Sequence, residues 1–266
     1  MTARILHVSD LHIGRREEPE PIAALRELAA ELAPELVLAT GDLAHRGKRT
    51  QLERAAALLH ALGPPILAVP GNHDIPYTFP ARFTHPFADW DRVFGSTEPV
   101  HAAENILVVG LNSVRAWRQQ GGAVTDAALD RVAERLSEAP TGALRVAALH
   151  HHLAAPPWRA ARKRPLKRRG HVLQSLAAAG AELVVGGHVH QAAIAELREF
   201  QAVESGRPGS LVLATAPGLG RPRPHRQREA HGVNVYESDP GTLRVITFSW
   251  DGASFAEVGR RSFPRG

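Results

Sequence analysis

The 266-residue chain reads as an α/β protein on three observations. From Ala3 to Val69 short apolar runs alternate with segments of helical spacing, the βαβαβ order that gives a parallel sheet with right-handed crossovers. Five apolar runs end directly in Asp, Asn or His. Beyond His190 the helical spacing stops and strand-like runs follow one another.

Residues 3–9 form the first predicted strand, and the polar loop Gly14 to Glu20 leads to a helix over 21–33. Ile22, Leu25, Leu28, Ala29 and Leu32 fall on one face of that helix, with Pro21 near its start, where proline is tolerated. A strand over 36–40 follows. A second helix over 50–62 aligns Leu52, Ala55, Leu58, Leu59 and Leu62 and stops at Gly63-Pro64-Pro65. Residues 66–69 are the third strand. Residues 75–104, rich in Pro, Phe and Trp, read as an irregular excursion with a short helix near Asp89 to Phe94. Then come a strand over 105–111, a helix from Thr125 through Glu138 with Thr125 as its cap, a strand over 144–149, a helix near 171–179 ended by Gly180, and a strand over 183–186. Runs near 191–197, 210–215, 232–237 and 243–250 read as strands, with turns at Gly206-Arg-Pro-Gly209 and Asp239-Pro-Gly241. This last part is expected to be a second sheet, closed by antiparallel pairs and packed on the first.

Hydrophobic content of 44% and charged content of 22% are ordinary for a globular chain, so a packed core is expected. There is no cysteine, which excludes disulfides and thiolate ligands and leaves N and O donors for any metal. No charged segment and apolar stretch precede the first strand, and no apolar run reaches the roughly 18 residues of a membrane span. A cytoplasmic location without membrane attachment is the expectation. The net charge of +5 fits either an arginine-rich composition or attraction of an anionic substrate.

The five junctions carry the chemistry. They are Ile5-Leu-His-Val-Ser-Asp10-Leu-His12, Leu36-Val-Leu-Ala-Thr-Gly41-Asp42, Pro65-Ile-Leu-Ala-Val-Pro-Gly71-Asn72-His73-Asp74, Val146-Ala-Ala-Leu-His150 and Leu183-Val-Val-Gly-Gly-His188-Val-His190. Side chains just beyond the carboxyl ends of parallel strands converge on one crevice. Asp10, His12, Asp42, Asn72, His150, His188 and His190 are therefore the candidate metal ligands. In extended backbone, residues two apart point to one side, so Asp10 and His12, and His188 and His190, can each reach one ion. Mixed carboxylate, amide and imidazole donors suit Mn²⁺, Fe²⁺, Zn²⁺ or Co²⁺. Seven donors exceed what one catalytic ion with open positions needs and fit two ions sharing a carboxylate. Because the donors run from Asp10 to His190, one domain over 1–266 is expected.

Asp-x-His, Gly-Asp, Gly-Asn-His-Asp, a His after a strand and Gly-His-x-His, in that order, resemble the calcineurin-like metallophosphoesterases. The likeness is close over residues 4–190 and looser to Tyr236, and within the superfamily it is most similar to the bacterial class III cyclic-nucleotide phosphodiesterases and their glycerophosphodiesterase relatives. It implies a four-layer α/β/β/α sandwich of two mixed sheets flanked by helices. It also implies Asp10, His12 and His190 on one ion, Asn72, His150 and His188 on a second, and Asp42 bridging. Hydrolysis of a phosphodiester or phosphomonoester of a small anionic substrate, with a cyclic nucleotide among the candidates, would follow by in-line attack of a bridging hydroxide. His73 would protonate or electrostatically stabilise the leaving oxygen. Protein Ser/Thr phosphatases carry Gly-Asp-x-x-Asp-Arg-Gly, whereas this chain has His45 in place of the second Asp, leaving open what orients His73. Purple acid phosphatases have a Tyr at that place and lack the first-motif His, which argues against that branch. The relatives follow His-His with Pro-Pro, whereas His150-His151-His152 is followed by Leu153-Ala-Ala; either His150 or His151 supplies the ligand, and His150, first after the strand, is chosen.

The remaining histidines His7, His60, His85, His101, His171 and His225 read as surface or core residues, and Asp74 as a structural turn residue. His45, His151 and His152 divide between supporting the site and facing solvent. The run Arg159 to Arg169 is either a solvated loop or an overhang that draws in phosphate, and Arg221, Arg223 and His231 are further candidates to face the site. The rival readings are a nuclease of the same superfamily and a non-catalytic scaffold. The first lacks room for a long nucleic-acid appendage, and the second is expected to lose ligands, none of which is missing.

Overall fold

The structure is a computed structural model describing residues 2–15, 18–118, 120–154, 163–197, 211–221 and 231–265. It opens with β1 (Ala3–Val8), α1 (Pro19–Leu32), β2 (Leu36–Ala39), α2 (Arg49–His60) and β3 (Ile66–Ala68). The short helices α3 (Ala81–Thr84) and α4 (Ala88–Phe94) occupy the excursion. There follow β4 (Val100–Ala102), β5 (Ile106–Gly110), α5 (Asp126–Ser137), β6 (Leu144–Ala148), α6 (Arg169–Ala178) and β7 (Leu183–Gly186). The chain closes with β8 (Ala193–Glu196), β9 (Val212–Thr215), β10 (Gly232–Ser238), β11 (Thr242–Trp250) and β12 (Phe255–Pro264).

Among the described residues two six-stranded mixed sheets result, in the orders β12-β11-β10-β1-β2-β3 and β4-β5-β6-β7-β9-β8. The partition corrects the sequence expectation. The strands after His190 do not form a sheet of their own: β8 and β9 extend the sheet of β5–β7, while β10–β12 return to β1. The reason is an open edge. Once β2 pairs with one side of β1, the other side presents unpaired backbone groups, and β10 covers it antiparallel from Ala3↔Ser238 to His7↔Asn234. Two strands, β4 and β12, escaped the sequence reading. β12 is an edge strand exposed along most of its length, so no buried face imposes a period of two on its residues.

The sheets pack face to face through Ile5, Leu38, Val69, Val108, Val146, Val185, Val212 and Val245. One outer face is covered by α1, α2 and α4 through Leu25, Leu28, Leu52, Leu59 and Trp90. The other is covered by α5 and α6 through Leu129, Val132, Leu136, Val172 and Leu176. Full burial of each such side chain stabilises by about 1.5–3 kcal/mol. Capping by Thr125 is as expected, its hydroxyl accepting from Ala128 N–H at 3.2 Å. The turn at Asp239 closes β10 to β11, its carboxylate accepting from Gly241 N–H at 3.0 Å; Gly206 to Gly209 lie outside the described residues. Among the described residues no helix is long and apolar enough to cross a membrane. The carboxyl ends of β1, β2 and β3 in one sheet and of β6 and β7 in the other open on the same crevice.

Candidate metal centre

The loops beyond the strands continue to pair with one another, which fixes the donors before any side chain is considered. Asp10 N–H donates to Gly41 O and His12 N–H to Asp42 O, both at 2.9 Å, so the β1 and β2 exits are clamped together. Leu219 and Gly220 N–H donate to Ser9 O and Asp10 O, each at 2.9 Å, from the loop before β10. The backbone at the donors is not extended. Asp10, His12, Asp42, His188 and His190 have φ of 56°, 51°, 51°, 71° and 56°. This corrects the idea that extended alternation aims Asp10 with His12 and His188 with His190: each donor sits in its own left-handed bend. Such bends are costly for residues with a Cβ and persist where the surroundings hold them, typically at functional sites.

The structure brings all seven candidates together. Asp10, His12 and His190 form one group and Asp42, His150 and His188 another, the donor atoms within each lying within 4.8 Å of one another. His190 Nε2 is 3.2 Å from Asp10 Oδ1 and 3.3 Å from His12 Nε2. His150 Nε2 is 3.1 Å from His188 Nδ1, 3.3 Å from Asn72 Oδ1 and 3.4 Å from Asp42 Oδ1. Asp42 faces both groups, because its Oδ2 lies 4.0 Å from His12 Nε2. All seven are buried.

Supporting contacts select which atom each donor presents. His150 Nδ1 donates to Thr40 O at 2.7 Å, leaving Nε2 for the crevice. Asp10 Oδ2 accepts from Ser9 Oγ at 2.7 Å and from His188 N–H at 2.9 Å, while buried Oδ1 has no well-oriented donor although His190 Nε2 is near. Gly187 permits this: a Cβ there would meet Ser9 Oγ at 1.9 Å and Asp10 Oδ2 at 2.6 Å. Burial raises a carboxyl pKa, yet the imidazoles of His190 and His150 hold Asp10, and those of His150 and His73 hold Asp42, below the ordinary carboxylate range. Burial pushes His12 and His188 well down, keeping them neutral, the form that ligates metals. Burial acts the same way on His150, but the Asp42 carboxylate overrides it and pushes the imidazole up to about 9, so this corner calls for a positive charge. Imidazole nitrogens packed against one another and against two anionic carboxylates are what a divalent cation of N/O preference would relieve, and the donor set fits one.

His73 lies beside the groups, its ring centroid 4.8 Å from that of His12. Its Nδ1 is 2.9 Å from His45 O and 2.6 Å from Tyr77 Oη. The carbonyl can only accept, so Nδ1–H faces it and Nε2 is left for the crevice. The backbone of His45 and the hydroxyl of Tyr77 thus hold His73 where the phosphatases use an Asp side chain. Tyr77, four residues past His73, was missed in the sequence, as were Ser9 and Thr40, which directly precede Asp10 and Gly41. Asp74 is structural as read: its carboxylate accepts from Ala44 N–H at 2.7 Å and Gly71 N–H at 2.8 Å.

The choice between neighbouring histidines is visible in their contacts. His151 turns away from Asp42 to Ser113 Oγ at 2.8 Å and packs on Gly122, whereas His152 is buried with its ring stacked 5.7 Å from His188. His7 is a core residue, its nitrogens 2.6 Å from Tyr236 Oη and 2.7 Å from Thr40 Oγ1. His60, His85 and His171 are exposed and His101 is half-buried; His225 lies outside the described residues. In the basic run, Lys163 is buried and donates to His188 O at 2.6 Å, bracing the His188 loop from behind. Arg168 pairs with Asp126 at 2.8 Å, Arg164, Lys167 and Arg169 are exposed, and Arg159 and Arg162 are outside the described residues. Arg221 is held by Glu18 at 2.9 Å and, with His231, lines a cavity of about 450 Å³ next to Leu11 and Ile13; Arg223 is outside the described residues.

Residues 3–192 match the family model of the calcineurin-like phosphoesterases. A probable cyclic nucleotide phosphodiesterase of Synechococcus sp. is 29% identical over 209 residues, covering 73% of this chain and 76% of the relative. A probable cyclic nucleotide phosphodiesterase of Moraxella catarrhalis is 34% identical over 88 residues, 32% of each chain. In fold, the chain superposes over its full length on 54% of a purple acid phosphatase from yellow lupin (Lupinus luteus) seeds, with a TM-score of 0.74 at 12% identity. The chain belongs to the calcineurin-like phosphoesterase family and is a metal-dependent phosphoric ester hydrolase.

Proposed function

We propose that the protein hydrolyses phosphodiesters of a small anionic substrate, with cyclic nucleotides as the favoured class and two divalent ions of the Mn, Fe, Zn or Co type as cofactors. Asp10, His12 and His190 would hold one ion and Asn72, His150 and His188 the other. The observation that carries this reading is Asp42, whose two oxygens divide between the two groups, Oδ1 toward His150 and Oδ2 toward His12. A carboxylate placed so can serve both. Donors drawn from both sheets also favour one domain over 1–266. The names of the two relatives support the nucleotide class.

When bound, such ions supply Lewis-acid polarisation of the phosphoryl oxygens and activation of water. The residues do the rest. Asp10 and Asp42 stay ionised and draw in no proton from the substrate. Ser9, Thr40 and Lys163 fix the donor rotamers and the His188 loop. As a water oxygen bonds to phosphorus and gives up its proton, the ester P–O bond breaks and a proton on His73 Nε2 passes to the leaving oxygen, while Nδ1–H stays on His45 O so that the ring does not turn. The test compares cyclic AMP, bis-p-nitrophenyl phosphate and a phosphopeptide at equal Mn²⁺ loading. The diesters are expected to lead; a phosphopeptide as the best substrate sinks the small-molecule assignment.

A further inference from the structure

Among the described residues most large apolar side chains are buried, but four aromatic ones stand in solvent on two segments that Tyr77 ties to His73. Phe79 is 84% exposed, Trp117 73%, Phe83 56% and Tyr77 37%. They come from two segments, 76–84 and the tight turn closed by the Arg115↔Arg118 bridge. Arg82 staples the two together: Nε donates to Ala116 O at 2.8 Å, Nη1 donates to Pro76 O at 3.0 Å, and the guanidinium lies 5.7 Å from the centre of the Tyr77 ring. The two segments are thus held together as one lip, and Tyr77 joins it to the site through the 2.6 Å contact with His73 Nδ1. Exposed aromatic clusters mark binding surfaces. One that begins at the group proposed to protonate the leaving oxygen meets the part of the substrate attached to that oxygen.

We infer that this aromatic lip, with Trp117 and Phe79 as its main faces, stacks the base of a nucleotide substrate and so sets specificity for nucleoside over simple alkyl esters. The inference rests on the hydrolytic reading above. Stacking suits it because every base offers a π-face, and the Arg82 clamp holds the two segments in register without occupying the faces of Phe79 or Trp117. Each stacked base contributes by alanine substitution an amount equivalent to about a 5- to 100-fold change in affinity.

Two measurements test it on the Mn²⁺-loaded full chain. The first compares kcat/KM for 2′,3′-cyclic AMP and for the 2′,3′-cyclic phosphate of 1-O-methylribose, which has no base. The ratio of the two values should fall about 5- to 100-fold in Trp117→Ala and in Phe79→Ala, through KM. A ratio unchanged from wild type in both variants overturns the proposal. The second follows tryptophan fluorescence on addition of AMP or ribose 5-phosphate. AMP should quench a component that is missing in Trp117→Phe, and ribose 5-phosphate should not. Quenching by AMP without turnover of any diester would sink the hydrolytic reading while keeping the lip; turnover without such quenching sinks the lip alone. A dimer that Trp117→Ala converts to monomer with an unchanged substrate ratio assigns the surface to self-association and also overturns the proposal.

Discussion

Gly187→Ala should cripple the enzyme without touching a donor. The added Cβ would lie 1.9 Å from Ser9 Oγ, 2.6 Å from Asp10 Oδ2 and 2.9 Å from Ser9 Cβ. Backbone strain is not the issue, because Gly187 does not have a positive φ. To restore an ordinary contact of 3.4 Å, the Asp10 carboxylate must retreat by about 0.8 Å and the Ser9 hydroxyl must rotate away as well. Rotation breaks the 2.7 Å bond to Asp10 Oδ2, a charge-assisted bond of about 1.5–3 kcal/mol. Retreat displaces Asp10 by nearly the 1 Å that typically costs about 10²-fold in rate. The expected result is a loss of roughly 10²-fold in kcat/KM on bis-p-nitrophenyl phosphate, with weaker Mn²⁺ binding and a lower melting temperature. Gly170→Ala near the start of α6 is the control: among the described residues nothing lies within 4 Å of its Cβ, and removal of a helical glycine should stabilise by up to about 1 kcal/mol. Activity within twofold of wild type for Gly187→Ala, at unchanged Mn²⁺ affinity, would refute the placement of Asp10 against Ser9 and the Gly187 backbone.

Elemental analysis after loading with Mn²⁺ and desalting should approach two equivalents per chain, and Asp42→Asn should lower both and nearly abolish turnover; one equivalent or fewer in the unaltered protein counts against two ions. His73→Ala should slow poor leaving groups by about 10²–10⁴-fold and p-nitrophenyl esters much less; equal losses would remove His73 from the acid role. Lys163→Met should weaken Mn²⁺ binding through the lost hold on His188 O, read by titration, whereas an unchanged affinity makes that contact incidental. Burial lowers the His7 pKa to about 3 against 6.5 in the unfolded chain, so the unfolded state alone takes up this proton as pH falls below 6.5. Stability contributed by neutral His7 is full above 6.5 and lost toward 3, at up to about 1.4 kcal/mol per pH unit. Urea unfolding between pH 7 and 5 should be correspondingly less pH-dependent in His7→Gln, and an identical slope excludes His7 as a source of the acid sensitivity.

The sequence by itself determined the order of most elements and which side chains converge on the crevice. Both are local signals: the spacing of Leu52, Ala55 and Leu59 suffices for a helix, and a polar residue directly after a buried strand can only emerge at the sheet edge. Pro64 and Gly63 punctuate in the same local way. What lay beyond the sequence depends on partners far along the chain. Whether β10 joins β1 or a separate sheet is decided by which edge is left unpaired after β2 docks. The left-handed bends at Asp10, His12 and His188 follow from hydrogen bonds to Gly41, Asp42 and Asp10 in other loops, which local propensity opposes. Which of His150 and His151 faces Asp42 is set by Thr40 O on one side and Ser113 on the other. His73 is held by a main-chain carbonyl, a group every residue carries, so no side-chain pattern could have announced it. Lys163 reads as one more charge in a basic run, and only the folded chain turns it inward to His188, because a buried carbonyl there needs a donor.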